Sequence, residues 1–130
     1  MVSLLVLVLV ALAPADAQAR CPTVRVTSLT ARPASADGYR VRARVRAEIS
    51  RGGIGAFVVW WHGNSGLIAD GWWPRRAAVK FEHRYPGPGT HRITIIAEGS
   101  SKGCKRLQKS APATLRVRVP LSPTRDPSSL

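Results

Sequence analysis

Acidic residues are scarce in this chain. Its 130 residues hold 7 Asp and Glu against 20 Lys and Arg, a formal net charge of +13 at pH 7. The carboxylates Asp70, Glu82 and Glu98 stand scattered among arginines, so the paired carboxylates of a hydrolase find no counterpart. Histidine is limited to His62, His83 and His91, with no Cys or carboxylate at ligand spacing, so neither a metal site nor a cofactor is expected. Ser65, His62 and Asp70 lie close in sequence, yet no nucleophile elbow or oxyanion loop accompanies them. The chain is therefore read as non-catalytic. The apolar run Val2 to Leu12 is too short to span a bilayer as a helix. After that run there is no helical periodicity, no internal repeat and no sign of a second domain.

The run has the length of the apolar core of a secretory signal. Ala17-Gln18-Ala19 supplies the small-x-small site for its removal, so residues 1–19 are expected to be a signal peptide. No Lys or Arg precedes the run, which leaves an uncleaved signal anchor, or a start codon further upstream, as the alternatives. Arg20, directly before Cys21, does not fit a lipoprotein signal. The expected destination is outside the cell or in the cell envelope, with no transmembrane segment once the signal is cleaved. Loss of Asp16 with the leader would raise the net charge by one.

Cys21 and Cys104 both lie in the exported part. An even number of cysteines in an exported chain implies a disulfide, and two cysteines allow one pairing. The alternative is a pair of free thiols.

The dominant period of the remaining chain is two. From Tyr39 to Ile49, Val41, Ala43, Val45, Ala47 and Ile49 fall on one face, and Arg40, Arg42, Arg44, Arg46 and Glu48 on the other. Strict alternation over this length predicts a half-buried antiparallel strand. Thr23 to Thr27, Ala78 to Tyr85 and Leu115 to Val119 repeat the device, Ala56 to Trp61 is a continuous apolar run, and His91 to Ala97 is a further strand. Turns are expected at Ala69-Asp70-Gly71 and from Tyr85 to Thr90, and a polar loop carrying Cys104 from Glu98 to Ala113. Six or seven short strands with no helix predict an all-β antiparallel sandwich over residues 20–120. Residues 121–130, with Pro123 and Pro127, are expected to form a disordered tail.

Two stretches carry a resemblance. Trp60-Trp61-His62-Gly63-Asn64-Ser65 stands where the polycystic-kidney-disease (PKD) repeat, an immunoglobulin-like β-sandwich, has Trp-Asp-Phe-Gly-Asp-Gly. Trp60 and Gly63 match, Asn64 replaces the second aspartate, and Trp61, His62 and Ser65 depart. Further on, His83-Arg84-Tyr85, Pro88-Gly89 and then His91, Ile93 and Ile95 are similar to that family's His-x-Tyr, Pro-Gly turn and alternating strand. The resemblance extends from Thr23 to Val119. It implies an immunoglobulin-like fold, core roles for Trp60, Tyr85, Ile93 and Ile95, and a non-enzymatic module of an exported bacterial protein.

If Trp60 points inward, alternation sends Trp61 outward. Trp61, Trp72 and Trp73 would then offer a stacking platform, with Arg75 and Arg76 as its cationic rim. The alternative is that the segment from Gly66 to Arg76 folds back over Trp61. The stripe Arg40, Arg42, Arg44 and Arg46 reads in two ways: solvation and edge protection, or contact with an anionic surface. The arginine excess also fits the codon bias of a GC-rich genome. The expected partners are an envelope glycan, another polyanion, or an extracellular protein. Nucleic acid would bind at low salt without sequence specificity. A structural envelope protein with no ligand is the rival reading, and a secreted hydrolase with unrecognised residues is a third.

Overall fold

The structure is a computed structural model that describes residues 21–62 and 65–122. The expected signal peptide and its cleavage site, Gly63 and Asn64 of the PKD-like stretch, and the tail from Pro123 lie outside the described residues.

Six strands, all antiparallel, make up the described chain, which contains no helix: β1 Val24–Pro33, β2 Arg40–His62, β3 Ser65–Arg84, β4 Gly89–Ser100, β5 Gln108–Lys109 and β6 Ala113–Val119. The all-β class and the strand number are as the alternation predicts. Strand length is not. The arginine-striped segment and the apolar run Ala56 to Trp61 form one 23-residue strand, β2, paired along its length with the 20-residue β3.

This long hairpin bends in the middle. The first half of β2 lies between β1 and the second half of β3, through pairs such as Ala31↔Ala43 and Ala43↔Phe81. Its second half lies between the first half of β3 and β4, through Val58↔Ile68 and Val58↔Ile96. β5 and β6 continue the sheet from β4. The sheet thus folds over at one corner into two layers, a route by which strands pass between the layers of a sandwich. The register shifts at the corner, between Glu48 and Gly53. Gly52 turns there with φ +81°, and a Cβ on it would come within 2.2 Å of the Ser100 carbonyl oxygen, so only glycine fits. Arg75 also has a positive φ, 64°, and its Nε donates to the Ile49 carbonyl at 3.2 Å, bracing the bend from β3.

The expected turn at Ala69-Asp70-Gly71 does not form. Ala69 and Asp70 pair with Phe57 and Ala56 inside β3, and Gly71 with Trp72 faces Gly55 as a bulge. A bulge absorbs an extra residue without ending the ladder, so turn-type composition did not make a turn.

The core lies between the layers. Val41, Ala43, Val45, Ala47 and Ile49 are buried from β2's first half, as their alternation predicts. Phe57 joins the layers edge-on, 5.4 Å from Trp73 and 6.2 Å from Phe81. Tyr85, Ile93 and Ile95 are buried as the resemblance implies, but Trp60 is not in the core; Trp61 is, at 3% exposure. Two register shifts explain the exchange. Inward residues are odd-numbered up to Ile49; the corner makes Ile54 the inward one; the bulge at Gly55 restores odd numbering at Phe57, Val59 and Trp61. A run that is apolar throughout carries no phase of its own, so alternation could not place the pair.

Cys21 and Cys104 form the expected disulfide, with Cα atoms 4.9 Å apart. It sits at the corner end, where the Thr23 amide donates to Ser50 Oγ and Gly53 pairs with Ser100. Leu121, placed in the tail by its sequence, packs against the core and donates its amide to the Gly38 carbonyl.

Candidate functional site

The antiparallel hairpin decides which cations meet. Glu48 opposes Arg76, Arg46 opposes Ala78, Arg44 opposes Lys80 and Arg42 opposes Glu82. Arg76 therefore continues the arginine stripe, although thirty residues separate it from Arg46 in the chain. Three shallow depressions run along this seam. The first is lined by Arg25, Glu48, Arg75 and Arg76, the second by Arg46, Glu48 and Arg76, and the third by Arg44, Arg46 and Lys80. Each shares residues with the next, so together they form one cationic track on the outer face of the first layer.

Neutralisation along the track is uneven. Glu48 is bound to Arg25. Glu82 takes Arg42 at 2.8 Å and Arg40 at 3.9 Å. Arg84 is held by Asp37 at 2.6 Å. Among the described residues, Arg32, Arg44, Arg46, Arg76 and Lys80 have no acidic partner within ion-pair distance. Several cations also stand directly opposite one another: Arg32 and Arg42, Arg40 and Arg84, Arg44 and Lys80. Like charges at facing positions cost stability, and a bound anion removes that cost. The sequence reading missed Arg32 and Lys80. Lys80 was detectable, since it holds an outward position in the alternation from Ala78 to Tyr85.

The tryptophan platform is not as expected. Trp61 is buried and stacked on His83, with ring centroids 5.2 Å apart, so it cannot contact a ligand. The segment from Gly66 to Arg76 does not cover it; that segment lies beside β2 as a paired strand. Trp73 is half-buried against Phe57. Trp72 alone is open, 57% exposed, and lies across Gly53, where a Cβ would meet its ring at 2.5 Å. Gly53 places it at the corner. Trp60 lies half-exposed on the outer face of the second layer, over Gly66 and next to the row Ile68, Val58, Ile96.

The histidines, far apart in sequence, meet at the end of the sandwich away from the corner. His62 lies 5.3 Å from His83 and 5.9 Å from His91 between ring centroids, with Tyr85 among them. Among the described residues no group of three His, Cys, Asp or Glu is arranged to hold a metal ion. His62 and Asp70 do not meet: Asp70 pairs with Ala56, roughly 20 Å along the strand from His62 at about 3.4 Å per residue. No described helix is long and apolar enough to cross a membrane.

No protein-family model, curated protein or solved structure matches this chain, so its function is argued from this geometry alone.

Proposed function

We propose that the protein is an exported, non-catalytic module that binds a linear polyanion, such as an acidic envelope polysaccharide, along the β2–β3 seam. The observation that carries the reading is the continuous track with four cations, Arg44, Arg46, Arg76 and Lys80, that have no acidic partner among the described residues. Guanidinium groups pair with carboxylate and phosphate in a rigid fork, and a row of them suits a chain of repeating anions. Trp72 at the corner adds one aromatic face for a sugar ring. Export is supported by the disulfide, which persists in oxidising compartments. The PKD-like reading is supported by buried Tyr85, Ile93 and Ile95 and weakened by the outward Trp60.

The test compares two triple variants that remove the same charge. Arg44→Gln, Arg46→Gln and Lys80→Gln removes three of the track's four unpartnered cations. Arg92→Gln, Arg116→Gln and Arg118→Gln takes cations from the exposed face of β4 and β6. An exposed ion pair is worth about 0.2–1 kcal/mol, so the first set should weaken binding to immobilised polygalacturonate roughly tenfold at low salt. The second should change it little. Equal losses would mean that net charge alone attracts the polymer, and the site reading would fall. Binding should fade as salt rises, because exposed charges are screened beyond about 10 Å at 0.1 M.

A second reading, contact with another protein, is favoured by exposed Ile68 in a row with half-buried Val58 and Ile96 beside Trp60. Binding to an envelope protein that survives high salt and is lost in Ile68→Ser would support it.

A further inference from the structure

All three histidines of the sequence converge on one place, the end of the sandwich that the disulfide does not staple. His62 closes β2 and His91 lies near the start of β4, both in the second layer, while His83 lies one residue before the end of β3 in the first. Tyr85 stands between them, 1% exposed. Its ring stacks on His91 at 4.2 Å and meets His83 edge-on at 4.8 Å. Its hydroxyl donates to the Trp61 carbonyl at 3.0 Å, and its amide donates to the Tyr39 carbonyl at 2.9 Å. Trp61 in turn stacks on His83. These rings pack between the two layers at this end, where the turn from β3 to β4 and the Leu121–Gly38 hydrogen bond also join them.

The contacts suit neutral imidazoles. Among the described residues, Nε2 of His83 and Nε2 of His91 are buried and have no hydrogen-bond partner. Whichever nitrogen carries the hydrogen in a neutral ring, an imidazolium donates from both, and at these two atoms nothing accepts. The groups facing the cluster are His62 from β2, His83 from β3, Tyr85 from the turn and His91 from β4. Arg84 and Arg92, next in sequence, are exposed. No carboxylate acts on His83; burial comes first among its causes, then His62 and His91, and together they push its pKa below the ordinary 6.5. The faces of Trp61 and Tyr85 attract a cation and make a first proton tolerable. Two charged rings in this cluster would stand 5.3–5.9 Å apart and repel.

We propose that the three-histidine end of the sandwich is a proton-sensitive latch, which packs the two layers together while its imidazoles are neutral and loosens that packing on mild acidification. This goes beyond the polyanion reading and does not depend on it.

The sign follows from linkage. A group whose folded-state pKa is depressed binds its proton more readily in the unfolded chain, so stability is lost as pH falls below 6.5. For each proton the cluster excludes, the unfolding constant rises up to tenfold per pH unit within that window. Asp37 is held far below the ordinary carboxyl range by Arg84, Ser35 and the Tyr39 amide, and it withdraws its contribution only below about pH 4, so the two effects separate.

Urea unfolding of the oxidised protein at intervals from pH 7.5 to pH 5.0 reads the latch. The unfolding constant should rise at least tenfold between pH 6.5 and pH 5.0, and His83→Gln should flatten that rise. A change below threefold in the wild type, or an undiminished rise in His83→Gln, would overturn the proposal. If His83→Gln does not fold, NMR titration of the wild-type histidines decides. The His83 midpoint should lie below 6.5 and move up in His62→Gln. Three independent midpoints at or above 6.5 would sink the idea.

Discussion

Removing the disulfide, by reduction or by the pair Cys21→Ala and Cys104→Ala, should lower stability by roughly 4–5 kcal/mol, since the bond closes a loop across 83 positions. The bond joins the start of β1 to the loop after β4. Cys21 precedes β1, and Cys104 lies in the loop between β4 and β5. Without it, β1 is held by pairing with β2 and by packing against β4, β5 and β6. A small domain with one modest core retains about 5–15 kcal/mol in all, so this loss approaches the lower end of that range. Urea titration at pH 7.5 of oxidised and reduced protein measures it, with intact mass after alkylation reporting the thiol state. A difference below about 1 kcal/mol would show that β1 is held without the staple. Two alkylated cysteines before any reductant would show that the bond does not form.

The second large effect belongs to Trp61. Trp61→Ala should cost about 3–5 kcal/mol, because the ring is buried and fills the space against His83. Trp60→Ala should cost about 1 kcal/mol, since its indole is half-exposed over Gly66. The neighbours are chemically identical, so the pair of variants isolates strand phase from residue type. Urea midpoints in the reverse order would mean that the bulge at Gly55 is absent and that Trp60 faces the core. Trp61→Ala should also disturb the histidine titrations, since it removes the ring on which His83 stacks.

These two predictions differ in how far the sequence alone could reach. The disulfide needed only two cysteines in a chain read as exported. The burial of Trp61 required the register shifts at Glu48–Gly53 and Ile54–Ala56, and their inputs are distributed. Gly52 supplies the positive φ, Gly53 leaves room for Trp72, and Arg75 braces the bend from the other strand. None of these changes the apolar pattern from Ala56 to Trp61. The resemblance to the PKD repeat also placed Trp60 inward, because a matched tryptophan carries its family position but not the local bulges that set its face.

The candidate site divides the same way. The stripe Arg40, Arg42, Arg44 and Arg46 was visible as a face because period two fixes the side of a strand on which each residue stands. That Arg76 and Lys80 extend it, while Glu82 takes up Arg40 and Arg42, depends on the pairing of β2 with β3. The grouping of Trp61, Trp72 and Trp73 failed because closeness in sequence does not survive a strand whose faces alternate and whose axis bends.

By itself, then, the sequence determined the strand periodicity, the outward direction of the arginines and the one possible cysteine pair. Those properties are local, or forced by count. Only the tertiary structure decided which tryptophan is buried, which cations share a groove, and that three histidines about twenty and eight residues apart meet around Tyr85. Each of these depends on which residues face one another across strands, and cross-strand register is set by bulges and bends that carry no periodic signal.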